Sequence, residues 1–283
     1  MTDKFVPKSP VVVSYPKLPE GFEETQQIVK FLRGLGFEAP HGPIDDEALR
    51  RRVKAGDFDL LIALGGDGTM LRAGHLCAPC QVPILGVNMG RLGFLIQIDR
   101  GEWRAMFERL FQGEGWIEER LMLHAEHVRA GEQQANWQAL NEVVVGRGVA
   151  LRPVRLEATV DGRPLTTFVC DGLIASTPTG STAYALAAGG PILPPDLRNI
   201  LLVPIAPHLS VDRAVVLAEG SSVAIGVRSE NSVVSVDGQT PIALELGDHV
   251  DVRASEHVAR FVRFGDPGYF YRNLNAHLNQ PHL

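Results

Sequence analysis

Leu61-Ile-Ala-Leu-Gly-Gly-Asp67-Gly-Thr-Met70 is the stretch whose reading decides the fold. An apolar run with strand character starts at Phe58 and stops in two glycines. One carboxylate, a third glycine and a threonine follow, and the pattern turns helical through Met70, Leu71 and Leu76. The physical reading is a buried strand that ends in a tight turn and feeds a helix N-terminus, where outward N–H groups carry positive dipole character. Such a turn suits phosphate. A carboxylate inside it would repel phosphate, so Asp67 is read as serving chemistry or a bound cation. Asp and Gly are also ordinary turn formers, and by itself the stretch divides evenly between site and turn.

Outward from this turn, Val11–Tyr15 reads as a short strand. Glu23–Leu35 reads as a helix with an apolar face at Ile28, Phe31, Leu32 and Leu35, ended by Gly36. A weaker element is expected around Phe37-Glu-Ala, then a helix from the acidic start Asp45-Asp-Glu through Val53, and a buried strand at Val82–Asn88. This alternation predicts an open, mostly parallel sheet with covering helices, and ligands on such sheets sit beyond the carboxyl ends of the strands. Asp67 and Asn88 would share that edge. Met89–Leu95 is a glycine-punctuated hydrophobic link, a hinge or a packed connection, and Trp103, Met106, Phe107, Leu110 and Phe111 form a helical stripe.

From Trp116 the texture changes to strands, among them Glu118–His127, Gln138–Val145 and Val154–Val160, separated by turns such as Asp161-Gly162, Asp237-Gly238 and Gly247-Asp248. The expected organisation is therefore an α/β domain over residues 1–115 and an all-β, sandwich-like, ligand-binding domain over 116–262. A C-terminal segment, 263–283, carries a helix near Phe270–Leu278 that returns to the first domain.

Composition narrows the function. The 283 residues are 45% hydrophobic and 21% charged, ordinary values for a globular protein. A net charge of −6 without a basic run argues against a nucleic-acid partner. No apolar run reaches the roughly 18 residues of a membrane span, and Met1–Lys8 lacks the apolar core of a signal peptide; a cytoplasmic protein with no membrane partner is expected. Cys77 and Cys80 form a CxxC with no second pair to complete a zinc site, and they read as incidental thiols along with Cys170.

A second informative stretch is Asp171-Gly-Leu-Ile-Ala-Ser-Thr-Pro-Thr-Gly-Ser-Thr-Ala-Tyr184. A strand beginning near Phe168 leads into a loop dense in hydroxyls, and a small-residue helix follows up to Gly189-Gly190. Small residues let a ligand approach the backbone, and the hydroxyls offer donors for phosphate, sugar or amide groups. Asn141-Glu142 is a polar pair at the entry of the apolar strand Val143–Val145, either an edge cap or a ligand contact, since a glutamate can accept two ribose hydroxyls.

Taken in order, Gly65–Thr69, Gly86–Leu95, Asn141-Glu142, Asp171–Tyr184, Pro204–His208 and Asp237-Gly-Gln239 resemble the NAD kinase family over most of the chain, from about Asp59 to Phe270. The Gly-Gly-Asp-Gly turn is shared with lipid and sugar kinases, whereas the Ser/Thr loop with Asn-Glu is much more specific. The resemblance implies a split active site in which Asp67 takes the proton from the 2′-hydroxyl of the adenosine ribose and Gly68 with its neighbours holds phosphate. It implies that Asn141 and Glu142 hold the adenosine end. Asp171, Thr182, Ala183 and Tyr184 would contact the dinucleotide, partly across a subunit interface, with a further contact from Gln239. Arg72 and Arg152 fall where some members use a basic residue near NAD.

Ala185, Leu186 and Ala187 continue the dinucleotide-contacting run, although many members carry serine at the position of Ala187. Val169 stands where some members that prefer oxidised NAD carry arginine, so the choice between NAD and NADH is open. The implied substrates are NAD and ATP or polyphosphate, with Mg²⁺ or another divalent cation riding on the donor's phosphates and no dedicated protein cage. A homodimer or homotetramer is implied too. The other readings are a lipid kinase sharing the turn, and a dinucleotide sensor without turnover.

Overall fold

A computed structural model gives the fold and describes residues 5–17, 19–90, 93–149, 152–208 and 212–278. Met1–Lys4 at the start, and Arg91 and Leu92 of the glycine-punctuated link, lie outside the described residues. The chain divides into two compact units, one running to Glu119 and resuming at Val258, the other spanning Arg120–His257.

The first unit follows the alternation read from the sequence: β1 (Pro10–Ser14), α1 (Pro19–Gly34), β2 (His41–Pro43), α2 (Glu47–Lys54), β3 (Leu60–Gly65), α3 (Asp67–Cys77), β4 (Ile84–Asn88), β5 (Ile98–Asp99) and α4 (Trp103–Phe111). β2, β1, β3 and β4 lie side by side in parallel, with β5 also parallel to β4. All residues of β1, β3 and β4 are buried, as expected of strands covered on both faces. Ile28 and Leu32 of α1 and Phe107 and Leu110 of α4 pack with Ile62, Leu64 and Val87 in one apolar core. α2 starts where Asp46 caps it, the carboxylate accepting the Leu49 N–H at 2.8 Å. The element expected at Phe37 is instead β2, four residues further on. Phe37 stacks on Phe111 at 4.7 Å between ring centroids, so its apolar character serves the core and not a strand.

The second unit is built from strands. β6 (Trp116–Arg129) enters it from the first, and β7 (Glu132–Ala139), β8 (Glu142–Arg147), β9 (Val154–Val160), β10 (Arg163–Cys170) and β11 (Gly172–Ser176) follow. After the short helix α5 (Tyr184–Ala187) come β12 (Asn199–Ile205), β13 (Val215–Ala218), β14 (Ser222–Val227), β15 (Ser232–Val236), β16 (Ile242–Leu244) and β17 (His249–Arg263). β17 carries the chain back to the first unit, where Phe261 pairs in parallel with Ile84 of β4 and α6 (Tyr269–Leu278) follows.

β13-β12-β11-β8-β15-β16 form one antiparallel sheet. β10, β9, β14 and the first part of β17 form antiparallel neighbours in another. Leu156, Ile225 and Val250 from the second set share a core with Val143, Ala175 and Val234 from the first, which is the expected sandwich. The Asp161-Gly162 turn has φ of 50° and 73°, the two positive values of a type I′ hairpin.

Two strand boundaries differ from the sequence reading. Gln138–Val145 is not one strand: it breaks at Leu140-Asn141, because the Asp237 carboxylate draws those backbone N–H groups out of the ladder. The strand from Phe168 likewise splits at Asp171, with β10 in one sheet and β11 in the other. No helix among the described residues is long and apolar enough to cross a membrane.

Candidate active site

In the first unit, β3 delivers Asp67 to the carboxyl edge of the sheet, level with Asn88, since Gly65 and Asn88 are register partners. Gly65 is required by close approach: a Cβ there would lie 2.1 Å from the Thr69 hydroxyl oxygen. Gly66 is the extended N-cap, and Asp67 opens α3. The Asp67 carboxylate accepts the N–H of Phe94 at 2.9 Å and that of Leu95 at 3.1 Å, one on each oxygen. Gly93 lets the loop come this near, because a Cβ on it would sit 2.1 Å from Oδ1. The base candidate is thus oriented by a loop far along the chain, and each oxygen keeps a lone pair.

Gly68 is exposed beside Asp67, and exposed Arg72 lies with its guanidinium 5.4 Å from the centre of the Tyr15 ring. Asn88 is a brace: its amide bonds the Gly90 N–H and carbonyl and the Asp99 carboxylate, at 3.1 to 3.2 Å.

In the second unit, the register pairs Glu142 with Ser176 and Val143 with Val236, so β8, β11 and β15 bring the Asn-Glu pair, the Ser/Thr loop and the Asp237 turn to one end of a sheet. Asp237, at φ 47°, accepts the backbone N–H groups of Leu140, Asn141 and Glu142 at 2.7, 2.9 and 2.9 Å. Glu142 is 7% exposed, and its Oε2 has no hydrogen-bond partner. Burial, then the Asp237 charge, pushes its carboxyl up to about 7, against a lowering hydrogen bond from the Tyr184 N–H. A buried acceptor without a partner is a place for a ligand hydroxyl.

The hydroxyl-rich loop differs from expectation in what its hydroxyls do. Ser176 donates to the Asn141 carbonyl, Thr177 to the Leu140 carbonyl at 2.6 Å and Ser181 to the Pro178 carbonyl at 2.6 Å. They are all buried, and they build the loop rather than face a ligand. Gly180 fits between them because a Cβ would lie 2.2 Å from the Asn141 carbonyl oxygen. Thr182 also bonds within the loop, to the Thr179 carbonyl. Ala185 is fully buried, Ala183 and Leu186 are half-buried, and Tyr184 and Ala187 are exposed. Gln239 is exposed in the Asp237 turn, its backbone carbonyl accepting the Ser235 hydroxyl.

Asp171 is not with this group. It precedes β11, whose other end meets Glu142, and it pairs with Arg147 at 3.2 Å. Exposed Arg152 lies toward the same far end, two residues before Val154, which is the register partner of Cys170. The N–H of exposed His208 donates to the Val169 carbonyl there at 2.7 Å.

Two contributors lie inside motifs quoted from the sequence without a site role of their own. Asp237 orders the Asn-Glu backbone from the Asp-Gly turn. The clamp on Asp67 comes from Phe94 and Leu95, at the end of the Gly86–Leu95 stretch, where Gly93 is the signal of a close approach. The three cysteines are free thiols, and burial raises both Cys77 and Cys80. Among the described residues no group of three His, Cys, Asp or Glu is gathered as for a metal.

Comparison with known proteins gives the family. The ATP-NAD kinase N-terminal domain matches residues 17–115, and the ATP-NAD kinase C-terminal domain matches residues 140–264. The NAD kinase of Chloroflexus aurantiacus is 45% identical over 272 residues, 95% of this chain and 98% of that protein. That of Heliobacterium modesticaldum is 43% identical over 235 residues, 82% of each. Among solved structures, yeast NADH kinase complexed with NADH superposes with a TM-score of 0.84 at 26% identity, covering 98% of this chain and 90% of that one. An Archaeoglobus fulgidus NAD kinase in complex with ATP gives 0.78 at 26% identity, covering 96% and 100%. The chain belongs to the NAD kinase family.

Proposed function

We infer that this chain transfers a phosphoryl group from ATP to the 2′-hydroxyl of the adenosine ribose of NAD, giving NADP, with Asp67 as the base. The observation that carries the assignment of the base is the Asp67 carboxylate, held by two backbone N–H groups at the mouth of a Gly-rich turn. A sugar hydroxyl is a poor nucleophile at neutral pH, and a positioned carboxylate can accept its proton as the γ-phosphoryl leaves the donor. Gly68 and the first turn of α3 offer N–H groups to phosphate. The unpartnered Oε2 of Glu142 takes a ribose hydroxyl, with Asn141 beside it, while Thr182, Ala183 and Tyr184 present backbone to the dinucleotide. Ala185 shapes that run from the core; Leu186, Ala187 and Gln239 contact the dinucleotide from its surface.

The donor's base has a place in the first unit. A cavity of about 610 Å³, lined by Tyr15, Lys17, Phe22, Gln26 and His41 among others, lies where the chain leaves the carboxyl end of β1, alongside β2 and α1. Tyr15 links it to the turn, its N–H donating to the Leu64 carbonyl and its ring lying under Arg72. When bound with the donor, Mg²⁺ or another divalent cation would supply charge neutralisation at its phosphates, and Asp67 is the side chain placed to add an oxygen contact. Asp171 and Arg152 complete a site from a second copy of the chain in a homodimer or homotetramer. The free thiols suit a reducing, cytoplasmic setting.

The test is direct. Purified protein is incubated with NAD, ATP and Mg²⁺, and NADP is read with an NADP-specific dehydrogenase. Wild type yields NADP, and Asp67→Asn lowers turnover by about 10² to 10⁴ while keeping NAD affinity. Wild-type turnover in Asp67→Asn removes Asp67 as the base; no NADP, with polyphosphate and NADH also tried, removes the reaction.

A further inference from the structure

Arg263, at the end of β17, is 1% exposed. Its guanidinium lies 5.0 Å from the ring centres of both Phe261 and Tyr269. Nε donates to the Glu118 carboxylate at 2.7 Å, and the Tyr269 hydroxyl donates to the same carboxylate at 2.9 Å. Nη1 donates to the Leu95 carbonyl at 2.8 Å. The N–H of Leu95 is in turn one of the two on Asp67. A second tie runs beside it: the Gln97 side chain bonds both the carbonyl and the N–H of Phe264, at 2.8 and 3.0 Å.

A buried ion pair loses about as much in desolvation as it regains in attraction, and a well-packed apolar pair is often as stable. Here Nη2 is left without a partner, which adds to the cost. Stability alone therefore does not account for a guanidinium in this core. What it supplies that an apolar side chain cannot is a fixed donor to the Leu95 carbonyl, held in plane by two rings and one carboxylate.

We propose that Arg263 is a positioning residue for Asp67: it pins Leu95 so that the Phe94 and Leu95 N–H groups hold the carboxylate in the orientation that accepts the proton. This deepens the reading of Asp67 as the base and rests on it. Glu118 and Tyr269 act one step further back, by orienting the guanidinium.

The experiment is a double-mutant cycle. Arg263→Met combined with Glu118→Gln removes the ion pair without stranding a charge, and thermal unfolding checks the fold. In the Asp67-intact enzyme kcat falls by about tenfold to a hundredfold, as expected for loss of alignment, with KM for NAD unchanged. In the Asp67→Asn background the same pair of changes shifts the residual rate by less than about twofold, because the group they act through is gone.

Tyr269→Phe, a smaller change, lowers kcat about two- to fivefold with the same dependence on Asp67, and it decides the matter if the Met/Gln pair does not fold. An undiminished kcat in the folded variants, a loss seen mainly in KM, or an equal loss in the Asp67→Asn background overturns the proposal. Wild-type turnover in Asp67→Asn alone overturns instead the assignment of the base.

Discussion

Burial does two things to Glu142. It leaves Oε2 without a partner, and, ahead of the Asp237 charge, it lifts the carboxyl from the usual 4.5 to about 7. Between those values the folded chain keeps a proton that the unfolded chain has released, so this group's stabilising contribution is whole below 4.5 and is lost as pH rises through about 7. The slope from one such group approaches about 1.4 kcal/mol per pH unit. Glu142→Gln removes the titration, and urea unfolding of both forms across this window should show a flatter dependence in the variant. An unchanged slope places the titration elsewhere. Function should move the opposite way. An amide accepts a ribose hydroxyl less well than a carboxylate, so NAD binding weakens about tenfold to a hundredfold even where the variant is the more stable form. A purely structural glutamate would give the first effect without the second.

The ends of β8, β11 and β15 are held together by Asp237, which gathers three consecutive backbone N–H groups. Asp237→Ala leaves those donors unmatched and removes a residue that tolerates positive φ, so stability falls by about 1–3 kcal/mol. KM for NAD rises with it, because Asn141 and Glu142 lose their fixed backbone; kinetics and urea unfolding on one preparation test both. KM unchanged in a destabilised variant would limit Asp237 to the fold. Much of this architecture is legible in the sequence wherever burial imposes a period. The run from Phe58 into the glycines becomes β3 and its turn, and the stripe Trp103–Phe111 becomes α4. What is not legible is set by partners distant in sequence. β7, Glu-Gln-Gln-Ala-Asn-Trp-Gln-Ala, is too polar to announce a strand and pairs through β6. The clamp on Asp67 arrives 27 and 28 residues later, and Arg263 joins it from 168 residues beyond Leu95. The hydroxyls of the Ser/Thr loop look like ligand donors until their carbonyl partners are seen.

At the scale of the molecule, Asp171 and Glu142 cannot serve one ligand end from within a single chain. β11 separates them: Ser176 faces Glu142, while Asp171 lies five positions back, about 17 Å away at strand rise. A site that uses both at one end of the dinucleotide must draw them from two copies, as a symmetric assembly allows. Glu142→Ala and Asp171→Ala should each be weak in NADP formation when purified alone. Mixed and reassembled, the two variants form hybrids in which one site carries both defects and the other carries neither. Random pairing of two copies then returns about a quarter of wild-type turnover, and a rate limited to the average of the two separate variants would rule sharing out. Subunit exchange has to be shown in the same experiment, by following tagged and untagged copies. Hybrids that form without recovering activity would return Asp171 to its ion pair with Arg147 and leave each chain with a self-contained site.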